Sequence, residues 1–94
     1  MANYIARVEL HKASDDDYEE LHDEMSKRGF TRTIKGDNGS TYHLPTGTYA
    51  VANSSVMLQT ACDAAIEAAK ETGKAYSLIV ADWGSAQWAG LPTV

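Results

Sequence analysis

The stretch Tyr4–Leu10, YIARVEL, decides how the chain is built. Its side chains alternate: Tyr4, Ala6, Val8 and Leu10 fall on one face of an extended segment, while Ile5, Arg7, Glu9 and the following His11 fall on the other. This pattern reads as a strand with one buried and one partly wet side. The buried side needs a cover, and two helical patterns further along the chain can supply it.

The first follows directly. Residues 14–29, SDDDYEELHDEMSKRG, open on Ser14 as an N-cap and carry Asp15, Asp16 and Asp17 in the first turn, where the helix dipole favours anions. Tyr18, Leu21 and Met25, with His22 at the edge, form its apolar stripe, and Gly29 stops it. The second pattern, residues 54–73, SSVMLQTACDAAIEAAKETG, places Leu58, Ala61, Cys62, Ala65, Ala68 and Ala69 on one face and ends at Gly73. So many alanines on one face imply close packing.

Between the helices, FTRTIK (30–35) and STYHL (40–44) flank GDNG, a turn sequence that reads as a β-hairpin. In PTGTYAVAN (45–53), Pro45 and Gly47 interrupt any simple central strand, so this segment either extends the second arm or bends away from it. KAYSLIVADW (74–83) gives a buried strand, and GSAQWAGLPTV (84–94) a turn followed by a short extra C-terminal strand or an ordered tail. The order β, α, β, β, α, β predicts one α+β domain over residues 1–94. The expected form is a ferredoxin-like βαββαβ sandwich, with both helices on one face of an antiparallel sheet. Its second sheet face would be uncovered, which predicts a homodimer with Trp83 and Trp88 as candidates to cover the partner.

Composition narrows the functions. The 44% hydrophobic and 22% charged content is that of a folded globular chain. The single cysteine, Cys62, has no internal disulfide partner, and its place on the alanine-rich face predicts a buried structural thiol. The opening MANYIARVEL lacks a leader pattern, and no window approaches the roughly twenty apolar residues of a membrane span, so the expectation is a soluble cytoplasmic protein. A net charge of −5 disfavours broad phosphate binding, and any nucleic-acid contact must be local.

One corner is suited to such a contact. Lys27, Arg28, Arg32 and Lys35 place half of the eight Lys and Arg residues within nine positions, next to Tyr42 and His43. As surface chemistry, Lys27 and Arg28 would neutralise the helix C-terminus, while Arg32 and Lys35 would pair with nearby carboxylates. As a site, the cations would grip two or three RNA phosphates, with Tyr42 as a stacking surface. His22 and His43 are candidates for an acid–base pair, because imidazole titrates near neutrality and RNA carries its own 2′-hydroxyl nucleophile.

No metal or cofactor is expected. His11, His22, His43 and Cys62 lack the short paired spacings of zinc sites, Glu9 and Asp82 are single strand acids, and Asp15–Asp17 lack the alternation of a calcium loop. GDNG lacks the lysine and helix start of a phosphate-binding loop.

YIARVELH (4–11), DYEELHDEM (17–25), RGFTRTI (28–34), DNGSTYHLP (37–45) and GKAYSLIVADWGSAQWAGLP (73–92) together resemble the GhoS-type family, the antitoxin endoribonucleases of type V toxin–antitoxin systems. The resemblance implies a ferredoxin-like fold and cleavage of a toxin messenger RNA. It also implies a functional position on the first helix, an arginine in the best-known members, which falls near His22 here; Arg28 lies one or two turns further on.

Together these readings predict an RNA-binding antitoxin with metal-independent endoribonuclease activity. Its RNA contacts would be Lys27, Arg28, Arg32, Lys35 and Tyr42, and its catalytic groups His43 and His22. The competing expectation is a noncatalytic interaction module, such as a phage or mobile-element inhibitor. It would meet a basic protein partner through Asp15, Asp16, Asp17, Glu19, Glu20, Asp23 and Glu24 of the first helix.

Overall fold

Alternation in the first strand survives into three dimensions: Tyr4, Ala6, Val8 and Leu10 are all buried, while Arg7 and Glu9 between them are exposed. The computed structural model describes residues 1–94. In chain order the elements are β1 (Ala2–Leu10), α1 (Asp15–Lys27), β2 (Thr33–Lys35), β3 (Thr41–His43), β4 (Thr48–Ser54), α2 (Leu58–Glu71) and β5 (Tyr76–Asp82). Strand β1 is central in an antiparallel sheet of order β4-β1-β5, with Ala6 opposite Tyr49 on one side and Val80 on the other.

Helix α1 starts as its sequence dictates. The Ser14 hydroxyl accepts from the Asp17 amide, and the Asp17 carboxylate accepts from the Ser14 amide at 2.9 Å, forming a capping box. That backbone hydrogen bond leads the causes that hold the Asp17 carboxyl below its usual range, with Lys74 adding its charge from 3.6 Å. Leu21, His22 and Met25 are the buried residues of α1. In α2 they are Ala61, Ala65, Ala68 and Ala69, whose short side chains let the helix backbone lie close to the sheet and to α1.

Two expectations for α2 are corrected. Leu58 is 42% exposed, because the helix begins there without a side-chain cap and its first turn stands clear of the core together with Val56 and Met57. Cys62 is half-buried, at the edge of the alanine face.

The α+β class with two helices and an antiparallel sheet is formed, but the main sheet has three strands. The chain segment that would make a fourth meets β4 at a single bridge, where Thr31 and Ala50 exchange backbone hydrogen bonds of 2.8 and 2.9 Å. It then leaves the sheet to form the separate β2–β3 hairpin. Of the two courses the sequence leaves open for residues 45–53, the chain takes the second: it bends away from the hairpin, and Pro45–Gly47 divide β3 from β4. At Gly47 the chain docks on β1, its carbonyl accepting from Val8 at 2.7 Å. A Cβ there would lie 2.6 Å from the Val8 oxygen, and φ is +82°, so glycine is required.

The hairpin and the C-terminal tail cover part of the sheet face turned away from the helices. Ile34, Leu44 and Ala50 are buried there, with Tyr42, Trp83, Trp88 and Leu91 packed against them. The tail runs beside β3: Thr93 bridges Tyr42, the His43 amide donates to Pro92 and the Val94 amide to Thr41, both at 2.9 Å. The extra C-terminal pairing thus extends the hairpin rather than the main sheet. Trp83 and Trp88 pack within their own chain, and a strip containing Arg7, Glu9, Ser77 and Ile79 stays uncovered. Strand β5 is therefore not the buried strand its apolar sequence predicts: it lies at the sheet edge, with Ile79 66% exposed. No helix is long and apolar enough to cross a membrane.

Candidate nucleic-acid interface

The four cations of the basic corner have two different fates. Lys27 and Arg28 both bind Glu24, at 3.0 and 2.8 Å, and Arg28 also donates to the Glu24 carbonyl at 2.9 Å. The Arg28 hydrogen bond, then that of Lys27, holds the Glu24 carboxyl below its usual range. Elsewhere Lys70 pairs with Glu67 and Lys74 with Asp17. The cations left without a carboxylate partner are Arg7, Lys12, Arg32 and Lys35, so the pairing that surface chemistry led us to expect is absent at the two hairpin positions.

Arg32 follows the Thr31 bridge, and its carbonyl accepts from Leu44 at 2.7 Å, so it lies at the end of the hairpin nearest β4. It is electrostatically coupled to a buried polar pair: His22 Nδ1 is 2.6 Å from the Tyr49 hydroxyl, with the rings tilted at a centroid distance of 5.7 Å. Burial, then the Arg32 charge, lowers the His22 pKa, while burial raises that of Tyr49 despite Arg32. Both shifts favour the neutral forms, an uncharged imidazole beside a protonated phenol. Such an imidazole can accept a proton but is a poor store of one.

His43 has the opposite setting. It is exposed on β3, opposite Thr33, with its backbone tied to the tail. His22 and His43 are not hydrogen-bonded to each other, and only His43 is open to a macromolecular substrate without rearrangement. No three His, Cys, Asp or Glu side chains gather into a metal-ligand set.

Lys35 and Tyr42 belong to a different neighbourhood. Lys35, Asp37, Trp83, Ser85, Gln87 and Trp88 are among the residues lining a cleft of about 560 Å³. Tyr42 meets Trp88 edge to face, with centroids 5.5 Å apart, and its hydroxyl accepts from Asn38 at 3.0 Å. Gly36 permits this approach, since a Cβ there would lie 3.1 Å from the Tyr42 ring and 3.3 Å from Trp88. The Trp83 indole N–H is buried without an acceptor, a defect costing about 1–3 kcal/mol. Lys35 and Trp83 also border a second hollow of about 290 Å³, together with Thr33 and Thr41.

Sequence reasoning therefore found Lys35 and Tyr42 but missed Asp37, Gln87 and the two tryptophans as their companions, and it passed over Tyr49. The tryptophans did stand out in the sequence, but as cover for a partner's sheet rather than as neighbours of the hairpin. Tyr49 alternates with Val51 on the buried side of β4 and carries no such mark.

These features describe a small α+β domain, acidic overall, whose unpaired hairpin cations stand between a buried His–Tyr pair and an aromatic cleft. The chain belongs to the endoribonuclease GhoS family, whose family model matches residues 1–87 of the 94. Membership agrees with the resemblance seen in the sequence and supports an endoribonuclease, antitoxin-like role in broad terms. A comparison with curated proteins gives no match.

Proposed function

We propose that this protein is an RNA-binding antitoxin that cleaves its target RNA without a metal ion. The observation that carries the reading is the absence of a carboxylate partner at Arg32 and Lys35 in a family of endoribonucleases and in a chain of net charge −5. Cations without a carboxylate partner on an acidic protein give its attraction for phosphate local footholds, and these two lie on and beside the hairpin. Arg32 and Lys35 bind the backbone there, with Lys27 and Arg28 at the margin and Tyr42 supporting the surface behind them.

Cleavage follows from the substrate's own chemistry. The 2′-oxygen attacks the adjacent phosphorus as its proton is removed, and the 5′-oxygen leaves with a proton, giving a cyclic phosphate and a free 5′-hydroxyl. His43, exposed beside the hairpin, is the proton-transfer group that reaches the RNA. His22, the second imidazole, is buried against Tyr49 and takes part only if the hairpin end at Arg32 opens to admit the substrate, with the Arg32 charge then available to steady the phosphorane. A homodimer would close over the uncovered strip around Ile79 and leave this surface free.

The test is incubation with labelled single-stranded RNA in EDTA. Cleavage by the wild type, reduced about 10²- to 10⁴-fold by His43→Ala while binding persists, is the expected result. Binding without cleavage would reduce the protein to an RNA-binding regulator. With no binding at low salt, the noncatalytic module takes precedence, its partner meeting the exposed Asp15, Asp16, Glu19, Glu20 and Asp23; Asp17 and Glu24 are already engaged within the chain.

A further inference from the structure

We propose that the cleft between Trp83 and Trp88 is a binding site for one unstacked base of single-stranded RNA, with Lys35 on the adjoining phosphate and Asp37 accepting from the base's amino group. This rests on the RNA-binding reading above and names the part of the substrate that the cleft takes.

The dimensions and the lining agree. A space of about 560 Å³ lies within the range of about 300–1,000 Å³ typical of small-molecule sites and accommodates a nucleotide. Two indoles among its walls offer what a splayed base needs, since every base has a face that stacks on an aromatic ring. The cleft is also held in shape before any ligand arrives. Tyr42 braces Trp88, Asn38 fixes Tyr42, and Gly36 leaves the room for both rings.

Charge gives the site a direction. Lys35 has no carboxylate partner and borders both the cleft and the second hollow, so its ammonium stands where a phosphate between two nucleotides would pass. Asp37 has no cationic partner either. A carboxylate in the cleft repels phosphate and can only accept hydrogen bonds, which turns the base edge toward Asp37 and the phosphate toward Lys35. Cytosine, adenine and guanine carry an amino group for Asp37 and uracil does not. Gln87 and Ser85 add adaptable polar groups on the tail side. The resulting preference is for bases other than uracil at one position of the bound strand.

Both tryptophans of the chain line this cleft, and Trp88 lines it without bordering the second hollow, so intrinsic tryptophan fluorescence reports on it. Titration of the wild type with CMP, GMP and UMP, and with a short single-stranded oligoribonucleotide, should give saturable quenching with UMP the weakest mononucleotide. Asp37→Ala, a change at an exposed turn residue, should erase the discrimination against UMP while quenching persists. Trp88→Ala should weaken oligoribonucleotide binding roughly tenfold or more, and Trp88→Phe, which keeps a ring against Tyr42, should restore most of it. RNA binding seen by anisotropy without a change in fluorescence, and unaffected by Trp88→Ala, would overturn the cleft assignment and leave the RNA-binding reading standing. Mononucleotide quenching without any affinity for RNA would support the cleft and overturn that reading. Silence in both measurements overturns both.

Discussion

The two faces of the sheet are built on different terms. On the helix side, twelve buried residues form one cluster, and the tyrosine hydroxyls in it and against it have partners: Tyr4 donates to the Val56 carbonyl at 2.7 Å, the Tyr18 hydroxyl accepts from Leu10 at 3.0 Å, and Tyr49 meets His22. On the hairpin side only Ile34, Leu44 and Ala50 form the buried cluster, an indole N–H is left without an acceptor, and two hollows open around Lys35 and Trp83. Stability is therefore concentrated on one face and binding capacity on the other. Densely packed, satisfied groups resist change, whereas a thinly covered face leaves side chains free to meet a ligand.

The contrast can be broken most directly by truncation. Leu21→Ala, in the fully buried helix-side cluster, should lower unfolding free energy by about 2–5 kcal/mol. Leu91→Ala, at a half-buried tail position on the other face, should cost about 1 kcal/mol or less. Chemical denaturation of both variants decides, and equal losses would remove the distinction.

A smaller effect sharpens it from the side of protonation. His22 has its pKa lowered first by burial and then by Arg32, while Glu19 and Asp23 act in the opposite direction. The unfolded chain thus takes up this proton at a higher pH than the folded chain does. The stability associated with neutral His22 is complete above the ordinary imidazole value of about 6.5 and is lost as pH falls through the lower folded value. Asp17 and Glu24, both depressed in the fold, lose their contributions in a separate window, below about pH 4. Unfolding midpoints should fall between pH 7 and 5 in the wild type and stay flatter in His22→Gln. A flat wild-type profile there would show that His22 does not feel the core.

The helix side was the legible side, because its rules are local. Alternation in Tyr4–Leu10 marked the buried half of β1, Ser14 and Gly29 bounded α1, and the alanine spacing marked the buried face of α2. Leu58 misled because helical periodicity says which way a residue points but not whether the sheet reaches that far. The hairpin side depends on contacts distant in sequence: Thr31 with Ala50, Tyr42 with Thr93, and Lys35 with Trp83. No spacing rule encodes such meetings. For the same reason the basic corner read as one patch, while the fold engages Lys27 and Arg28 with Glu24, sets Arg32 near His22 and Tyr49, and places Lys35 among the tail tryptophans.

The salt dependence of single-stranded RNA binding tests the hairpin assignment most directly, measured by anisotropy from low to moderate salt. Replacing Arg32 and Lys35 together by alanine should reduce the slope of log K against log salt by roughly 1–1.5, since each phosphate contact on a single strand contributes about 0.7. Arg28→Ala, whose guanidinium already binds Glu24, should leave the slope nearly unchanged. An unchanged slope in the double variant, or a larger loss from Arg28→Ala than from the hairpin pair, would contradict the account.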